Sequence, residues 1–349
     1  MKKKSLHNRV NRDELKQLMR ASIEPRTTIS FYKYHKIVDP VAFRNELYAI
    51  MDNMDVKGRI YIAVEGINAQ ISVRTLNVDV FQKTLYTIPF LDGVRLNFAV
   101  ADDGKSFTKL MIKVRSKIVA DGLDDATFDP SDTGIHLDVE AFNRLTDDPN
   151  TILVDMRNHY ESEVGYFENA ICPPAETFRD ELQIVEKMLE AEADKNLIMY
   201  CTGGIRCEKA SAWFKHKGFQ NVFQLEGGII QYARQAKAQG LKNKFIGVNF
   251  VFDERLNERI SDDVVANCHQ CGKPCDIHKN CVNDACHLLF IQCEECVAQY
   301  EGCCSSKCRD FMQLPVETRL ILRKIEKFNG TRFNKGRYKA NQAADSLLK

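Results

Sequence analysis

The sequence has no long apolar run. Among its 349 residues no stretch of about 18 apolar residues occurs, and the best short run, 287–293, is far too short to span a bilayer. No apolar segment follows the basic residues at the N-terminus, so a signal peptide is not expected. Tandem repeats and low-complexity segments are also missing, and 44% of the residues are hydrophobic, which is enough for a globular core. We therefore expect a soluble cytoplasmic protein with no membrane partner.

The formal net charge of +1 conceals a strong asymmetry along the chain. Lys and Arg outnumber Asp and Glu by 21 to 12 in residues 1–120 and by 23 to 16 in residues 197–349, whereas residues 121–196 carry 5 basic and 20 acidic side chains. A polyanion would meet the two basic parts and not the acidic middle. Charge alone is equally compatible with solvated helices that differ in charge.

The first part of the chain predicts a small domain, 26–119, after a basic helical lead-in, 1–25. Hydrophobic alternation and helix-start signals indicate the order βαββαβ, with a further edge strand at 109–114. The predicted strands are 28–34, 59–63, 69–73 and 94–99, and the predicted helices are 40–58 and 77–86. This order is typical of a ferredoxin-like (acylphosphatase-like) α+β sheet. The polar hairpin 65–68 is explained either by a plain turn or by an edge that contacts the substrate.

The middle of the chain predicts an α/β domain at 136–240, after a linker rich in Asp, Gly and Pro at 120–135. Strand and helix signals alternate there, which favours a parallel sheet with helices on both faces. The predicted strands are 151–155, 196–200 and 222–225, and the predicted helices are 178–193, 208–217 and 229–239. A cysteine-rich module is predicted at 241–315, in which the segment 249–253 leads into the cysteines, and a basic tail, 316–349, follows.

The segment after strand 196–200 is the most informative one. Cys201 stands where the strand ends, and a helix is predicted to begin about six residues later. The consecutive glycines Gly203 and Gly204 allow the backbone to curl with its N–H groups inward, and such a nest attracts anions and lowers the pKa of a thiol. Arg206 adds a positive charge. The alternative is a buried strand-end cysteine followed by an ordinary glycine turn.

These residues resemble a rhodanese domain. The resemblance rests on Asp155-Met-Arg157, Tyr160-Glu161, the Cys201–Arg206 loop and Leu225-Glu-Gly-Gly228, and it covers about 136–240. It implies that Cys201 forms the persulfide and that its cradle consists of Thr202, Gly203, Gly204, Ile205 and Arg206, with Asp155, Arg157 and Glu161 in support. Cys207 either resolves an oxidised Cys201 as a disulfide or simply packs inward. We interpret Cys172 as structural.

Ten of the 13 cysteines lie between Cys268 and Cys308. In a cytosolic chain such a cluster favours metal binding over disulfides. Two Cys-x2-Cys pairs, 21 residues apart, predict a four-thiolate zinc site at Cys268, Cys271, Cys293 and Cys296. A second metal site is possible, with ligands from among Cys275, Cys281, Cys286, Cys304 and Cys308. A metal-free module and an iron–sulfur cluster are the competing interpretations.

The C-terminal tail interleaves basic and aromatic residues, which suits phosphates and unstacked bases. The candidate RNA-binding residues are Arg323, Lys324, Arg332, Lys335 and Arg337. A solvated tail explains the same pattern.

The three parts in this order resemble the bacterial rhodanese-containing tRNA wobble-uridine hydroxylases over nearly the full length. The resemblance implies oxygen-dependent hydroxylation of the wobble uridine, position 34, to 5-hydroxyuridine, with molecular oxygen as co-substrate and the tRNA anticodon loop as partner. The resemblance does not identify the electron donor or any protein partner. Two alternatives remain: a sulfurtransferase that passes persulfide sulfur from Cys201 to tRNA or a carrier protein, and a non-catalytic, zinc-stapled RNA-binding protein.

Overall fold

The N-terminal part folds around a five-stranded sheet of order β4-β1-β3-β2-β5 in the computed structural model, which describes residues 12–125, 127–328 and 330. Its elements are α1 (Arg12–Ala21), β1 (Arg26–Tyr34), α2 (Pro40–Asn53), β2 (Lys57–Ala63), β3 (Gly66–Arg74), α3 (Val78–Tyr86), β4 (Asn97–Phe98) and β5 (Leu110–Val114). All strand pairs are antiparallel except β2–β5, which confirms the acylphosphatase-like fold class and the edge strand.

The two faces of this sheet differ in chemistry because apolar and polar residues alternate along its strands. One face, including Ile29, Ile60 and Ile71, packs under α2 and α3 in a buried apolar core. The opposite face carries hydrogen-bonding side chains such as Ser30 and Gln70, which stand directly across from each other in the β1–β3 register. The polar face is turned towards the rest of the protein.

The last predicted strand of this domain is much shorter than expected. We predicted 94–99, but only Asn97–Phe98 pairs with β1. Val94 and Leu96 pack instead against the domain core, so their apolar character reflects side-chain burial and not strand pairing.

The central domain is a parallel sheet of order β6-β10-β9-β7 with helices on both faces, which confirms the rhodanese α/β class. Its elements are β6 (Ile135–Leu137), α4 (Val139–Leu145), β7 (Thr151–Asp155), α5 (His159–Ser162), β8 (Gly165–Phe167), α6 (Phe178–Met188), β9 (Asn196–Tyr200), α7 (Ile205–His216), β10 (Asn221–Leu225) and α8 (Gly228–Gln239). Helices α6 and α7 cover one face, and α4 and α8 cover the other.

The C-terminal region continues the central domain before it becomes cysteine-rich. Its elements are β11 (Phe245–Phe250), β12 (Asn257–Arg259), β13 (His278–Asn280), β14 (Leu289–Ile291), α9 (Glu294–Tyr300), α10 (Ser306–Gln313) and α11 (Val316–Leu322). Strand β11, which begins at Phe245 and ends at Phe250, was not predicted from the sequence. It pairs antiparallel with β8 and β12, so the region is attached to the rhodanese domain by a shared sheet.

The segment predicted as a linker is packed against both of its neighbours. Asp121 is buried, and its carboxylate accepts hydrogen bonds from Lys117 Nζ at 2.5 Å and from Lys209 Nζ on α7. Lys209 also lies 2.7 Å from Glu65, in the turn between β2 and β3. These ion pairs hold the N-terminal sheet on the rhodanese domain. Within the part of the chain that the structure describes, no helix has the length and hydropathy needed to cross a membrane.

Candidate active site

Cys201 lies directly after β9, in a tight loop that ends where α7 begins at Ile205. The helix therefore starts earlier than the predicted 208. The backbone N–H of Gly204 points at the Cys201 Sγ, with 3.2 Å between the nitrogen and the sulfur. Gly204 has a φ of 97°, and a Cβ added there would lie 2.7 Å from the Tyr32 hydroxyl. Both the backbone conformation and the space therefore require glycine at this position.

The surroundings of Cys201 favour its ionised form. Burial raises the pKa of the thiol, but hydrogen bonding from Cys207, the charge of Arg206 and backbone N–H groups of residues 206 and 207 outweigh this effect and lower the pKa to about 5. A thiol with this pKa is a thiolate at neutral pH and therefore a nucleophile.

Arg206 is less free than the sequence suggested. Its guanidinium forms a two-pronged ion pair with Glu161, with distances of 2.7 and 2.9 Å between nitrogen and oxygen atoms, and it also lies 3.4 Å from the Thr202 hydroxyl. Glu161 is fully buried. The charge that we expected to face an anion is thus balanced by this carboxylate, although it still acts on the Cys201 pKa.

Asp155 and Arg157 form a separate, fully buried ion pair. The Arg157 guanidinium bonds to Asp155 and donates to the carbonyl of Gly165 at 2.6 Å. This links the end of β7 to the start of β8. Because neither side chain lines the cavity described next, the pair positions the scaffold and does not face a substrate.

Cys201 opens onto a cavity of about 400 Å³ that three parts of the chain enclose. The Cys201 loop forms one wall, including Thr202, Gly203, Ile205 and Arg206. The polar face of the N-terminal sheet forms another, and the segment after β11, with Phe252 and Asp253, closes a third. The volume falls within the ~300–1,000 Å³ typical of small-molecule sites. Cys201 lines this space and is itself buried, with no solvent-accessible area.

Apart from Asn68, the residues contributed by the N-terminal sheet were missed by sequence reasoning. Ser30 and Tyr32 of β1, Asn68 and Gln70 of β3, and Asn97 of β4 all line the cavity. The signal was present as polar residues at every second position of the strands, opposite the apolar ones. Asn68 belongs to the polar hairpin, so the second interpretation of that hairpin, contact with a substrate, has a structural basis.

Tyr32 connects the cavity to a polar chain that leads outward. Its hydroxyl donates to Glu208 at 2.9 Å, and Glu208 lies 3.1 Å from His136 and 3.2 Å from the Gln224 amide nitrogen. Burial and the neighbouring Glu208 charge raise the pKa of Tyr32 well above its ordinary value. The phenol therefore stays protonated beside the thiolate.

The remaining two cysteines of this domain differ in their surroundings. Cys207 is fully buried at the start of α7, and burial and the neighbouring Cys201 raise its pKa well above the ordinary value. It is thus a protonated donor to the Cys201 thiolate. Cys172 follows the bridge between Val154 and Ile171 and does not line the cavity.

The cysteine-rich module brings eight thiols into two groups of four. The first group is Cys268, Cys271, Cys293 and Cys296, and the second is Cys281, Cys286, Cys304 and Cys308. Within each group the sulfur atoms lie within 4.8 Å of one another, and close pairs are 3.6 Å apart. Each group could hold a metal ion. Cys275, a candidate for the second site, packs beside the first group instead.

Two of the candidate RNA-binding residues fall within the described part of the chain. Arg323 and Lys324 are exposed after α11, and neither lines the Cys201 cavity. Arg332, Lys335 and Arg337 lie outside the described residues.

Comparison with known families agrees with these three parts. Residues 26–118 match the UPF0176 acylphosphatase like domain, residues 138–235 the Rhodanese-like domain and residues 246–309 the family described as Rhodanase C-terminal. Fold and site together thus define a multidomain rhodanese protein with a loop cysteine under an acylphosphatase-like sheet.

Similar proteins from other bacteria carry one name. The chain is 57% identical to a tRNA uridine(34) hydroxylase of Photorhabdus laumondii, over 98% of this chain and 97% of that one. It is 59% identical to one of Pectobacterium carotovorum, over 95% and 94%, and 57% identical to one of Salmonella newport, over 96% of each. This chain belongs to the tRNA uridine(34) hydroxylase family, a family of oxidoreductases.

Proposed function

We propose that this protein hydroxylates carbon 5 of uridine 34 in tRNA, with the Cys201 thiolate as the nucleophile. The observation that carries the proposal is a thiol with a pKa of about 5 that faces a cavity of base-compatible size. The relatives' shared name supplies the reaction and the substrate. It favours hydroxylation over the sulfurtransferase and over a non-catalytic RNA-binding protein.

The proposed chemistry begins with addition of the Cys201 thiolate to carbon 6 of the uracil ring. The new S–C6 bond moves the electron pair of the C5=C6 bond towards carbon 5 and O4, so that carbon 5 becomes nucleophilic towards oxygen. Once the C5–O bond has formed, loss of the carbon 5 proton expels the thiolate and restores the double bond. One atom of molecular oxygen enters the base and the other leaves as water, with two electrons and two protons from a two-electron donor.

The chain's own residues prepare this thiolate. The N–H of Gly204 and the Cys207 thiol stabilise its negative charge, and Glu161 holds Arg206 in place. Thr202 and Ile205 shape the wall beside it. Because Cys207 is adjacent, it also serves as the resolving partner when Cys201 is oxidised.

The anticodon loop is the part of tRNA that suits this site. Its wobble base is easily unstacked, so little energy is needed to place it in the cavity. Basic side chains of the first and last parts of the chain, including Arg323, Lys324 and the tail residues Arg332, Lys335 and Arg337, would hold the phosphates.

We assign zinc to the two four-cysteine groups. Sulfur separations of 3.6–3.8 Å fit tetrahedral coordination at a Zn–S distance of about 2.3 Å. With four protein ligands each, these sites are closed, so the metal would staple a module with little apolar core and would not take part in the reaction. We also retain 26–119, 136–240 and 241–315 as the proposed domain limits, joined by 120–135 and flanked by 1–25 and 316–349.

The proposal is tested by mass spectrometry of tRNA nucleosides from a bacterial strain that lacks the gene. The wild-type gene should restore a uridine 34 product with one added oxygen, whereas Cys201→Ser should not, and Cys172→Ser, at a thiol outside the cavity, should behave as wild type. A product that gains sulfur would establish the sulfurtransferase instead. An unchanged nucleoside profile would favour the RNA-binding protein, and full activity of Cys201→Ser would exclude the proposed mechanism.

A further inference from the structure

Asn97 places an unsatisfied hydrogen-bond acceptor in the wall of the Cys201 cavity. The residue is only 6% exposed, and its side-chain oxygen Oδ1 is buried without a hydrogen-bond partner. Asn97 lies on the two-residue strand β4, opposite Ser30, and both residues line the cavity. A buried carboxamide oxygen without a partner costs free energy, so it indicates a ligand that supplies a donor.

The orientation of this carboxamide is set by the Cys201 loop. The Asn97 Nδ2 donates to the carbonyl oxygen of Gly203 at 3.4 Å. Rotating the amide by 180° would bring Oδ1 against that carbonyl oxygen, and two acceptors repel each other. The nitrogen is therefore committed to the loop, and Oδ1 remains the acceptor.

Two other residues bring an unpaired oxygen to the same cavity, but they differ in their attachment. Asn158 bonds to Tyr160, and Glu258 bonds to the Val100 N–H and to Arg255. Asn97 is attached to the loop that carries Cys201. The orientation of its acceptor is thus fixed by that loop.

The chemistry of uracil determines what such an acceptor recognises. Within a nucleotide, N1 of the base is bonded to the ribose, so N3–H is the single hydrogen-bond donor of the ring, and O2 and O4 are acceptors. N3 also lies across the ring from carbon 6, the atom that the thiolate attacks in the proposed mechanism. Because N3–H is the single donor of the ring, it is the group of uracil that an unpaired acceptor in the cavity wall can bind.

We propose that Asn97 is a specificity-determining residue, whose Oδ1 accepts a hydrogen bond from N3–H of the target uracil. This inference rests on the proposed function and extends it, because it names the edge of the base that the protein reads. It also gives the N-terminal sheet a role in recognition, whereas the rhodanese domain supplies the nucleophile.

The test compares two anticodon-loop RNAs that differ only at position 34, which is uridine in one and 3-methyluridine in the other. Binding to the full chain is measured without oxygen, so that hydroxylation does not occur. The wild type should bind the uridine RNA about 10- to 100-fold more tightly, because methylation removes the donor and leaves Oδ1 unpaired. Asn97→Leu, which has a similar volume but no acceptor, should lose this preference.

Two further variants separate recognition from general damage. Asn97→Gln keeps both the amide donor and the carboxamide acceptor and should retain part of the preference for uridine, even where overall affinity falls. Asn221→Leu, at an exposed asparagine of β10, should behave as wild type. A wild type without preference, or a preference that survives in Asn97→Leu, would overturn the inference.

Failure of the proposed function would look different. If the gene-deletion strain shows no hydroxylation although binding depends on N3–H and on Asn97, the reaction is wrong and base recognition stands. If hydroxylation is present while Asn97→Leu keeps the wild-type preference for uridine, only the role of Asn97 is wrong.

Discussion

The ammonium group of Lys209, on the first helix after the Cys201 loop, lies 2.7 Å from the carboxylate of Glu65 in the N-terminal domain. The same group bonds to Asp121 of the connecting segment, and Lys209 is only 2% exposed. One lysine thus joins the rhodanese domain, the N-terminal domain and the segment that connects them. Removing one partner of a buried ion pair strongly destabilises the fold, because the remaining charge is left uncompensated.

Replacing Lys209 with methionine should therefore weaken the fold. The change leaves the buried Asp121 with Lys117 as its remaining cationic partner, and we expect a loss of up to about 3–5 kcal/mol in the free energy of unfolding. Chemical denaturation measures this. The matched control is Lys195→Met. Lys195 pairs with Glu192 at the protein surface, so its loss should lower the free energy of unfolding by at most about 1 kcal/mol. Equal effects of the two substitutions would contradict the interdomain role of Lys209.

Alkylation of Cys201 should follow its low pKa. Only the thiolate reacts, so the rate with iodoacetamide should be constant at neutral pH and fall as the pH drops through about 5, where the thiolate becomes protonated. An ordinary thiol loses its reactivity already below pH 9. Peptide mass spectrometry assigns the label to Cys201 among the other cysteines. A half-maximal rate near pH 9 would show that the loop does not activate this thiol.

Loss of the Cys207 thiol should raise the pKa of Cys201. Cys207→Ala removes a donor to the thiolate, and one hydrogen bond corresponds to a shift on the order of one pH unit. The half-maximal rate of Cys201 alkylation should move upward accordingly. Cys207→Ser keeps a hydroxyl donor and should stay closer to the wild type. Identical pH profiles for the alanine variant and the wild type would remove Cys207 from the activation of Cys201.

Gly204→Ala should disturb the site through both strain and a collision with Tyr32. Gly218→Ala is the matched control. The two glycines have similar φ angles, 97° for Gly204 and 93° for Gly218, but an added Cβ would lie 2.7 Å from the Tyr32 hydroxyl at Gly204 and would have no atom within 4 Å at Gly218. The control should lose only about 1–2 kcal/mol of stability and should keep its tRNA-modifying activity. Gly204→Ala should abolish that activity, and adding Tyr32→Phe to this variant should restore part of it. Equal behaviour of the two alanine variants would show that the contact with Tyr32 is unimportant.

Metal analysis should find one zinc ion for each four-cysteine group. Cys308→Ser should lower the zinc content by half, because it removes a ligand of the second group only. Cys275→Ser should leave the content unchanged, since Cys275 belongs to neither group. Elemental analysis of the purified proteins measures both. Iron together with inorganic sulfide would instead identify an iron–sulfur cluster.

Local patterns were sufficient to predict the elements that carry the nucleophile. Strand 196–200 is recognisable from its apolar run, and the Gly203–Gly204 pair predicts the turn that presents Cys201. The paired cysteines 268/271 and 293/296 predict the first metal group, because their spacing itself provides the geometry of the ligands. Arg206 shows the limit of such reasoning: its charge is visible in the sequence, but its pairing with Glu161, 45 residues earlier, is not.

The amino-acid sequence by itself determined the order of the three parts, the parallel sheet with its loop cysteine and the presence of closely spaced thiols, because each depends on residues near one another in the chain. Only the tertiary structure decided that Asn97, Tyr32 and Asn68 line the Cys201 cavity, and that the second thiol group includes Cys281 and Cys286 but not Cys275. These arrangements depend on how the polar face of one domain docks on another and on how distant loops meet. Strand alternation indicates that the sheet has a polar face, but the sequence carries no signal for the distant segments that this face contacts.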